Sequence, residues 1–295
     1  MKKIIFILIL VSNFAFLSCS KDDDQPNDNL NKKLKSISFN SNSTTTQAFF
    51  NYDSNGKWIS GKDKFGNDYT ITYNGSGDIL QYTIPSQGSS TVDYEYNSAN
   101  TLNGIMVDTY EIDFIYNNFR VSELEFYDPN LLNRLKFTYD TSNRIKTITS
   151  EDDLLRWEYT YDNLNRMINI NVYSATNSTE PYNLTQYSVY EYENHKNPIY
   201  QLFNEQLNQG QILYSPLDIF PRSSRIFAWN IGVEISILPE YNIKSIKEYL
   251  ASNPNVPRRE ISMSYTIVDN KVQSFLNTTN FSGNITTEQV VFSYE

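Results

Sequence analysis

Between Phe137 and Ile170 the chain reads FTYDTSNRIKTITSEDDLLRWEYTYDNLNRMINI, which is one short unit written twice. The unit is an aromatic, any residue, Tyr-Asp, three turn residues and Arg, followed by an apolar return. In the first copy Leu135, Phe137 and Tyr139 alternate with Lys136, Thr138 and Asp140. A period of two is the signature of a strand with one buried face. Asp140-Thr141-Ser142-Asn143 then supplies turn chemistry, because Asp and Asn side chains bond the nearby backbone and Asn tolerates a left-handed conformation. Ile145, Thr147 and Ile148 begin the way back. In the second copy Leu155, Trp157, Tyr159 and Tyr161 share a face, Asp162 to Asn165 make the turn, and Met167, Ile168 and Ile170 return. Each unit is therefore predicted to be a β-hairpin.

The unit recurs along most of the chain. Its second aromatic sits at Tyr52, Tyr73, Tyr96, Tyr116, Tyr139, Tyr161 and Tyr192, with gaps of 21, 23, 20, 23, 22 and 31 residues. Two strands and two turns fit that period. Gly56, Gly77, Asn100, Asn143 and Asn165 take the turn position that needs a positive φ. A late copy follows Tyr265, and Val290, Phe292 and Tyr294 read as a last strand.

The match to Tyr-Asp, two or three residues and Gly-Arg is best at Tyr52 to Lys57, Tyr139 to Ile145 and Tyr161 to Met167. In this the chain resembles the YD repeat of the RHS family, although Tyr73-Asn74 and Tyr96-Asn97 lack the Asp. In that family the repeats build a β-shell around a toxin cargo. The resemblance implies a hairpin array, and it implies a shell function only for a chain with a cargo to enclose.

The N-terminus carries Lys2 and Lys3 before an apolar run from Ile4 to Phe16, too short to span a bilayer as a mature helix. Phe16-Leu17-Ser18-Cys19 follows and resembles the lipobox of bacterial lipoproteins. Residues 1–18 are thus expected to be a lipoprotein signal peptide, with Cys19 as the lipidation site and the membrane as a partner through it. Cys19 is the single cysteine, so no intramolecular disulfide forms. Loss of Lys2 and Lys3 takes the net charge from −10 to −12, which argues against nucleic acid as a partner. Ser20-Lys21-Asp22-Asp23-Asp24 is similar to the acidic export signal of Bacteroidetes-type lipoproteins. That resemblance implies an outer-membrane, cell-surface location. Residues 19–33 read as a flexible acidic tether.

Residues 34–295 are expected to form one all-β domain, a long antiparallel meander of hairpins in a rolled or curled sheet. Its 23 Tyr and 17 Phe supply an aromatic core. A propeller is the alternative, since two hairpins of this length make a blade. The repeat is lost in an insertion at about 195–260. There Asn197 as N-cap and Pro198 at the first helical position, with Ile199, Leu202, Phe203 and Leu207 behind them, predict a short helix. Asn242 to Leu250 allows either a helical turn or a strand. The run Asn194 to Tyr200 resembles an Asn-Pro segment of Bacteroidetes lipoproteins of unknown function.

The chemistry is sparse. One histidine, His195, and one cysteine leave no zinc set, and no Gly-rich phosphate loop or nucleophile elbow occurs. No catalytic residue, metal site or cofactor is expected. Asn51, Asp53, Asn55 and Gly56 mimic the start of a calcium loop, but Lys62 stands where its Glu belongs. Glu111/Asp113, Glu123/Glu125 and Glu191/Glu193 sit two apart on strands and so share faces. Trp58 and Trp229 are the candidate ligand-binding aromatics. The expected function is a non-catalytic, lipid-anchored envelope protein that binds a glycan or protein partner or serves an envelope assembly. The alternatives are a carboxylate-dependent polysaccharide hydrolase and a β-shell enclosing a cargo.

Overall fold

A computed structural model describes residues 32–41, 44–85, 90–107, 109–128, 131–207, 212–215, 227–230 and 234–295. The expected signal peptide, Cys19 and almost all of the expected tether lie outside these residues. Strands β1 to β7 are Leu34–Ser41, Thr44–Tyr52, Trp58–Lys62, Asp68–Tyr73, Ile79–Ile84, Ser90–Tyr96 and Leu102–Val107. Strands β8 to β14 are Tyr110–Asn117, Arg120–Asp128, Leu131–Tyr139, Ile145–Ser150, Leu155–Tyr161, Met167–Ser174 and Asn183–Lys196. Helix α1, Pro198–Leu207, is followed by β15 Ile212–Ser215, β16 Phe227–Asn230 and β17 Glu234–Ile237. The chain ends with β18 Tyr241–Leu250, β19 Arg259–Val268, β20 Lys271–Phe281 and β21 Asn284–Tyr294.

Each strand from β1 to β14 pairs antiparallel with the next. The meander passes from β14 to β18 and on to β21. β21 then pairs back onto β1, from Leu34↔Tyr294 to Ser41↔Glu288. The expected rolled sheet is therefore a closed barrel of 18 strands, and the propeller alternative falls with it. Closure is the physical answer to two raw edges and one bare apolar face, since it pairs the first and buries the second.

The apolar face points inward. Ile37, Phe50, Trp58, Tyr69, Tyr82, Ile105, Ile112 and Leu124 are each at most 2% exposed. A hollow barrel would leave these side chains wetted, so the interior is filled. The outer face carries the other half of the alternation, such as Thr70, Thr72, Lys136 and Thr138. Membrane-spanning barrels have the reverse arrangement, apolar outside and polar within. Among the described residues, no helix is long and apolar enough to cross a membrane.

The insertion is shorter than expected, 197–240, because Tyr241–Leu250 is β18 and belongs to the barrel. Asn197 caps α1 as predicted: its Oδ1 accepts from Ile199 N at 3.0 Å. Ile199, Leu202 and Phe203 are buried in the barrel core, and the Phe203 ring meets Trp58 edge to face at 5.8 Å. Behind the helix, β15, β17 and β16 form a small antiparallel sheet.

Five copies of the unit share one turn geometry, while the copies after Tyr116 and Tyr265 turn in two residues of positive φ, Asn118-Phe119 and Asp269-Asn270. Asp140 Oδ1 accepts from Ser142 N at 2.8 Å and Arg144 N at 2.9 Å, while Asn143 takes φ 67°. Asp162, Asp53, Asn74 and Asn97 hold their turns in the same way. One side-chain oxygen is all the turn requires, which is why Asn replaces Asp freely. The mimic of a calcium loop at Asn51 to Gly56 is one of these turns. The Tyr of each unit then reaches the preceding hairpin. Tyr161 OH donates to Ile145 O at 2.7 Å, Tyr139 OH to Val121 O at 2.8 Å, and Tyr96 OH to Ile79 O at 2.7 Å. Tyr52, Tyr73, Tyr116, Tyr192, Tyr265 and Tyr294 do likewise onto Leu34, Trp58, Leu102, Met167, Ile243 and Val272. These bonds close a ring of tyrosines around one rim. Beside most of them the return strand carries a β-bulge, as between Thr138 and Tyr139, which explains why Ile145, Thr147 and Ile148 do not alternate strictly.

Candidate functional site

At the rim opposite the tyrosines the β13–β14 loop, residues 175–182, is an eight-residue connection, as long as the β18–β19 turn at 251–258. It leans over the outer face of β11 and β12 and walls a groove of about 600 Å³. The floor is Thr138, Lys146, Thr147 and Thr149, and the wall is Ser178, Glu180 and Tyr182, with Asp153 and Arg156 at one end. Outward positions of neighbouring strands place these residues together: Thr138 pairs with Thr147, and Thr149 with Arg156.

Some of the groove is internally fixed. Thr138 and Thr147 share a hydroxyl hydrogen bond of 2.6 Å. Arg156 pairs with Glu158 and lies 5.6 Å from the centre of the Tyr182 ring, a cation–π contact that holds the loop over the strand. Burial pushes the Tyr182 hydroxyl pKa up, Asp153 adds to this, and Arg156 opposes it. The Tyr173 hydroxyl, beside Arg156 in the ladder, is raised by burial and by its bond to Glu158. Both stay protonated donors at neutral pH. The remaining side chains are uncommitted: those of Lys146, Thr149, Asp153 and Ser178 and the Tyr182 hydroxyl show no hydrogen bond to other side chains or backbone among the described residues. With Arg156 taken by Glu158, Lys146 stands against Asp153 and Glu180, so the groove is polar with a slight net negative charge.

The predicted residues fall elsewhere. Trp58 is fully buried, with Nε1 donating to Ser60 O at 3.1 Å and to Tyr69 OH at 3.2 Å, and with Phe50, Tyr69 and Phe203 around its ring. It is a core residue and offers no face to a ligand, which corrects the binding role expected for it. The Trp229 side chain and Cys19 lie outside the described residues. His195 sits half-buried at the end of β14, where its carbonyl accepts from Asn242 Nδ2 at 3.1 Å. Glu111, Asp113, Glu123 and Glu125 share the outer face of β8 and β9. Burial and then neighbouring carboxylates push Glu111 and Asp113 up, while Tyr127 and Arg134 hold Glu125 down. They form a charged row on an open wall rather than two carboxyls facing across a cleft. Among the described residues, no three His, Cys, Asp or Glu are grouped to hold a metal ion.

The sequence reading missed the groove, yet carried a mark of it. The gap of 31 residues from Tyr161 to Tyr192 is the widest of the series, and its excess is the loop that builds the wall.

No family model matches the chain, and no curated protein does. Among solved structures it is similar to a porin-like protein from Bacteroides uniformis, at 12% identity over 89% of this chain and 96% of that one, with a TM-score of 0.47. A porin-like protein from Bacteroides vulgatus overlaps at 11% identity over 90% of this chain and 99% of that one, with a TM-score of 0.40. The TcdB2-TccC3-Cdc42 complex overlaps at 12% identity over 86% of this chain but 16% of its own, with a TM-score of 0.34. Overlaps this loose carry no function, and the barrel's own residues must.

Proposed function

We propose that this is a non-catalytic, lipid-anchored protein of the outer membrane, displayed on the cell surface, that binds a glycan in the groove of β11, β12 and the 175–182 loop. The observation that carries the reading is the set of uncommitted hydroxyls, charges and a half-buried Tyr converging on about 600 Å³ of concave space. That volume suits a small oligosaccharide. Sugars are bound by such mixtures of hydrogen-bonding groups and an aromatic ring, and the slight excess of carboxylates disfavours an anionic one. A filled interior leaves a cargo no room, so the shell alternative gains nothing from the fold. The anchor fits the topology as well. Lys33 N donates to Glu295 O at 3.1 Å and Glu295 N to Lys33 O at 2.9 Å, so the chain enters the barrel at the tyrosine rim.

The test is a glycan array probed with the full-length chain in detergent micelles, with product analysis on the same samples. Binding without shortening of the glycan, lost by at least tenfold in Arg156→Ala, is the expected result. Release of shorter products would replace the reading with a hydrolase, and binding indifferent to Arg156 would remove the groove from it.

A further inference from the structure

Resting on the glycan reading of the groove, we propose that its ligand is an extended, uncharged polysaccharide, followed along its length by a track that leaves the groove at Thr147 and crosses the outer wall to Tyr249. The ladder registers place Thr138, Thr147, Glu158, Asn171, Tyr187 and Tyr249 as successive cross-strand partners on β10 to β14 and β18. The partners of the adjacent inward row are Phe137, Ile148, Trp157 and Val172, all buried or packed on the core, so this row faces out. Neighbouring strands lie about 4.8 Å apart, so the row spans roughly 24 Å. Its spacing is close to the length of one pyranose in an extended chain. Thr147 is itself buried beneath the groove and bonded to Thr138, so a ligand lying across the strands meets Thr138 and then, beyond Thr147, one outward side chain per strand.

The far end of the track is built rather than incidental. Tyr187 and Tyr249 stack with centroids 4.7 Å apart and ring planes 9° from parallel. The Tyr187 hydroxyl donates to Pro254 O at 2.9 Å, which fixes the pair against the β18–β19 turn. A rigid aromatic platform loses little side-chain freedom when a ligand arrives. Between the platform and the groove, Glu158 is neutralised by Arg156, and Asn171 offers an amide that accepts and donates. An unpaired charge occurs nowhere in the row, which is what a neutral polymer requires and a polyanion does not.

The experiment is calorimetry of the full-length chain in micelles with cello-, manno-, xylo- and malto-oligosaccharide ladders of about two to six units. Affinity is expected to climb with each unit to the longest member of the ladder that binds. Tyr249→Ala, and independently Asn171→Ala, are expected to weaken the longest oligomer about tenfold and to leave the disaccharide unchanged. Far-UV circular dichroism and thermal unfolding of both variants report that the barrel is intact. Affinity that stops rising at the trisaccharide, or long oligomers indifferent to both substitutions, would overturn the track while leaving the groove. A failure of every ladder to bind, or binding indifferent to Arg156→Ala, would overturn the groove reading and the track with it.

Discussion

Arg144 shows how much one residue of the unit does. Its backbone N–H caps Asp140 at 2.9 Å, its Nε bonds the other oxygen of the same carboxylate at 2.7 Å, and its guanidinium lies 4.5 Å from the centre of the Tyr161 ring. Nη1 also reaches Asn165 Oδ1 in the next turn at 3.0 Å. Each turn is thereby tied to the following one through charge, ring and hydrogen bond. Burial pushes the Asp140 carboxyl up, but the N–H groups of Arg144 and Ser142 and the guanidinium outweigh it and hold the group below its usual range. The natural Asn at 74 and 97 separates the two roles of this side chain, since Asn keeps the acceptor and loses the ion pair. Asp140→Ala is expected to cost about 2 kcal/mol, the loss of two backbone bonds and a partly shielded pair, and Asp140→Asn about half of that. Urea unfolding at pH 7 distinguishes them, and equal costs would show that the acceptor is not what matters.

At the scale of the element, helix α1 opens the insertion that departs from the meander, and it serves the core. Ile199, Leu202 and Phe203 are the apolar positions of its first turns, and Phe203 completes the aromatic cluster around Trp58. Asn197 binds the helix start to the barrel on both sides, with Nδ2 on Pro239 O at 3.3 Å and the first-turn N–H groups on its oxygens. Phe203→Ala is expected to cost about 3 to 5 kcal/mol, since it removes a fully buried ring from a packed cluster. Trp58 fluorescence reports the change directly: water admitted beside the indole shifts its emission to the red. An unshifted spectrum with undiminished stability would show that the helix does not pack where its contacts place it.

At the scale of the whole molecule the tyrosine ring sets the response to alkali. Burial raises the hydroxyl pKa of Tyr73, Tyr96, Tyr139, Tyr161, Tyr192, Tyr265 and Tyr294 above the usual value near 10, and Tyr116 reaches about 12 through burial and then Tyr139. The folded chain therefore keeps protons that the unfolded chain releases first. The stabilisation is whole below about pH 10 and is lost as pH climbs through the folded values, so unfolding is expected to set in between about pH 10 and 12. Absorbance of phenolate at rising pH should follow the loss of circular dichroism in one step. Phenolate appearing well before the fold is lost would place the ring tyrosines in water.

The hairpins, their turn positions, the helix cap and the inward aromatic face were all legible in the chain because each is decided locally. A period of two, an Asx oxygen two and four residues from an N–H, and an Asn-Pro start act within a few residues of themselves. Closure was not legible, because it depends on Leu34 meeting Tyr294 and Ser41 meeting Glu288 across the length of the fold. The fate of Trp58 was decided in the same way, by Phe203, which reaches it from an insertion far along the chain. The groove needed both kinds of information. The sequence carried only the wide gap from Tyr161 to Tyr192, and it is the paired registers of neighbouring strands that bring Thr147, Arg156 and Tyr182 around one space. Local chemistry chooses the strand and the turn, while which side chains become neighbours is settled by hydrogen-bonded register and by burial, and these exist only once the barrel has closed.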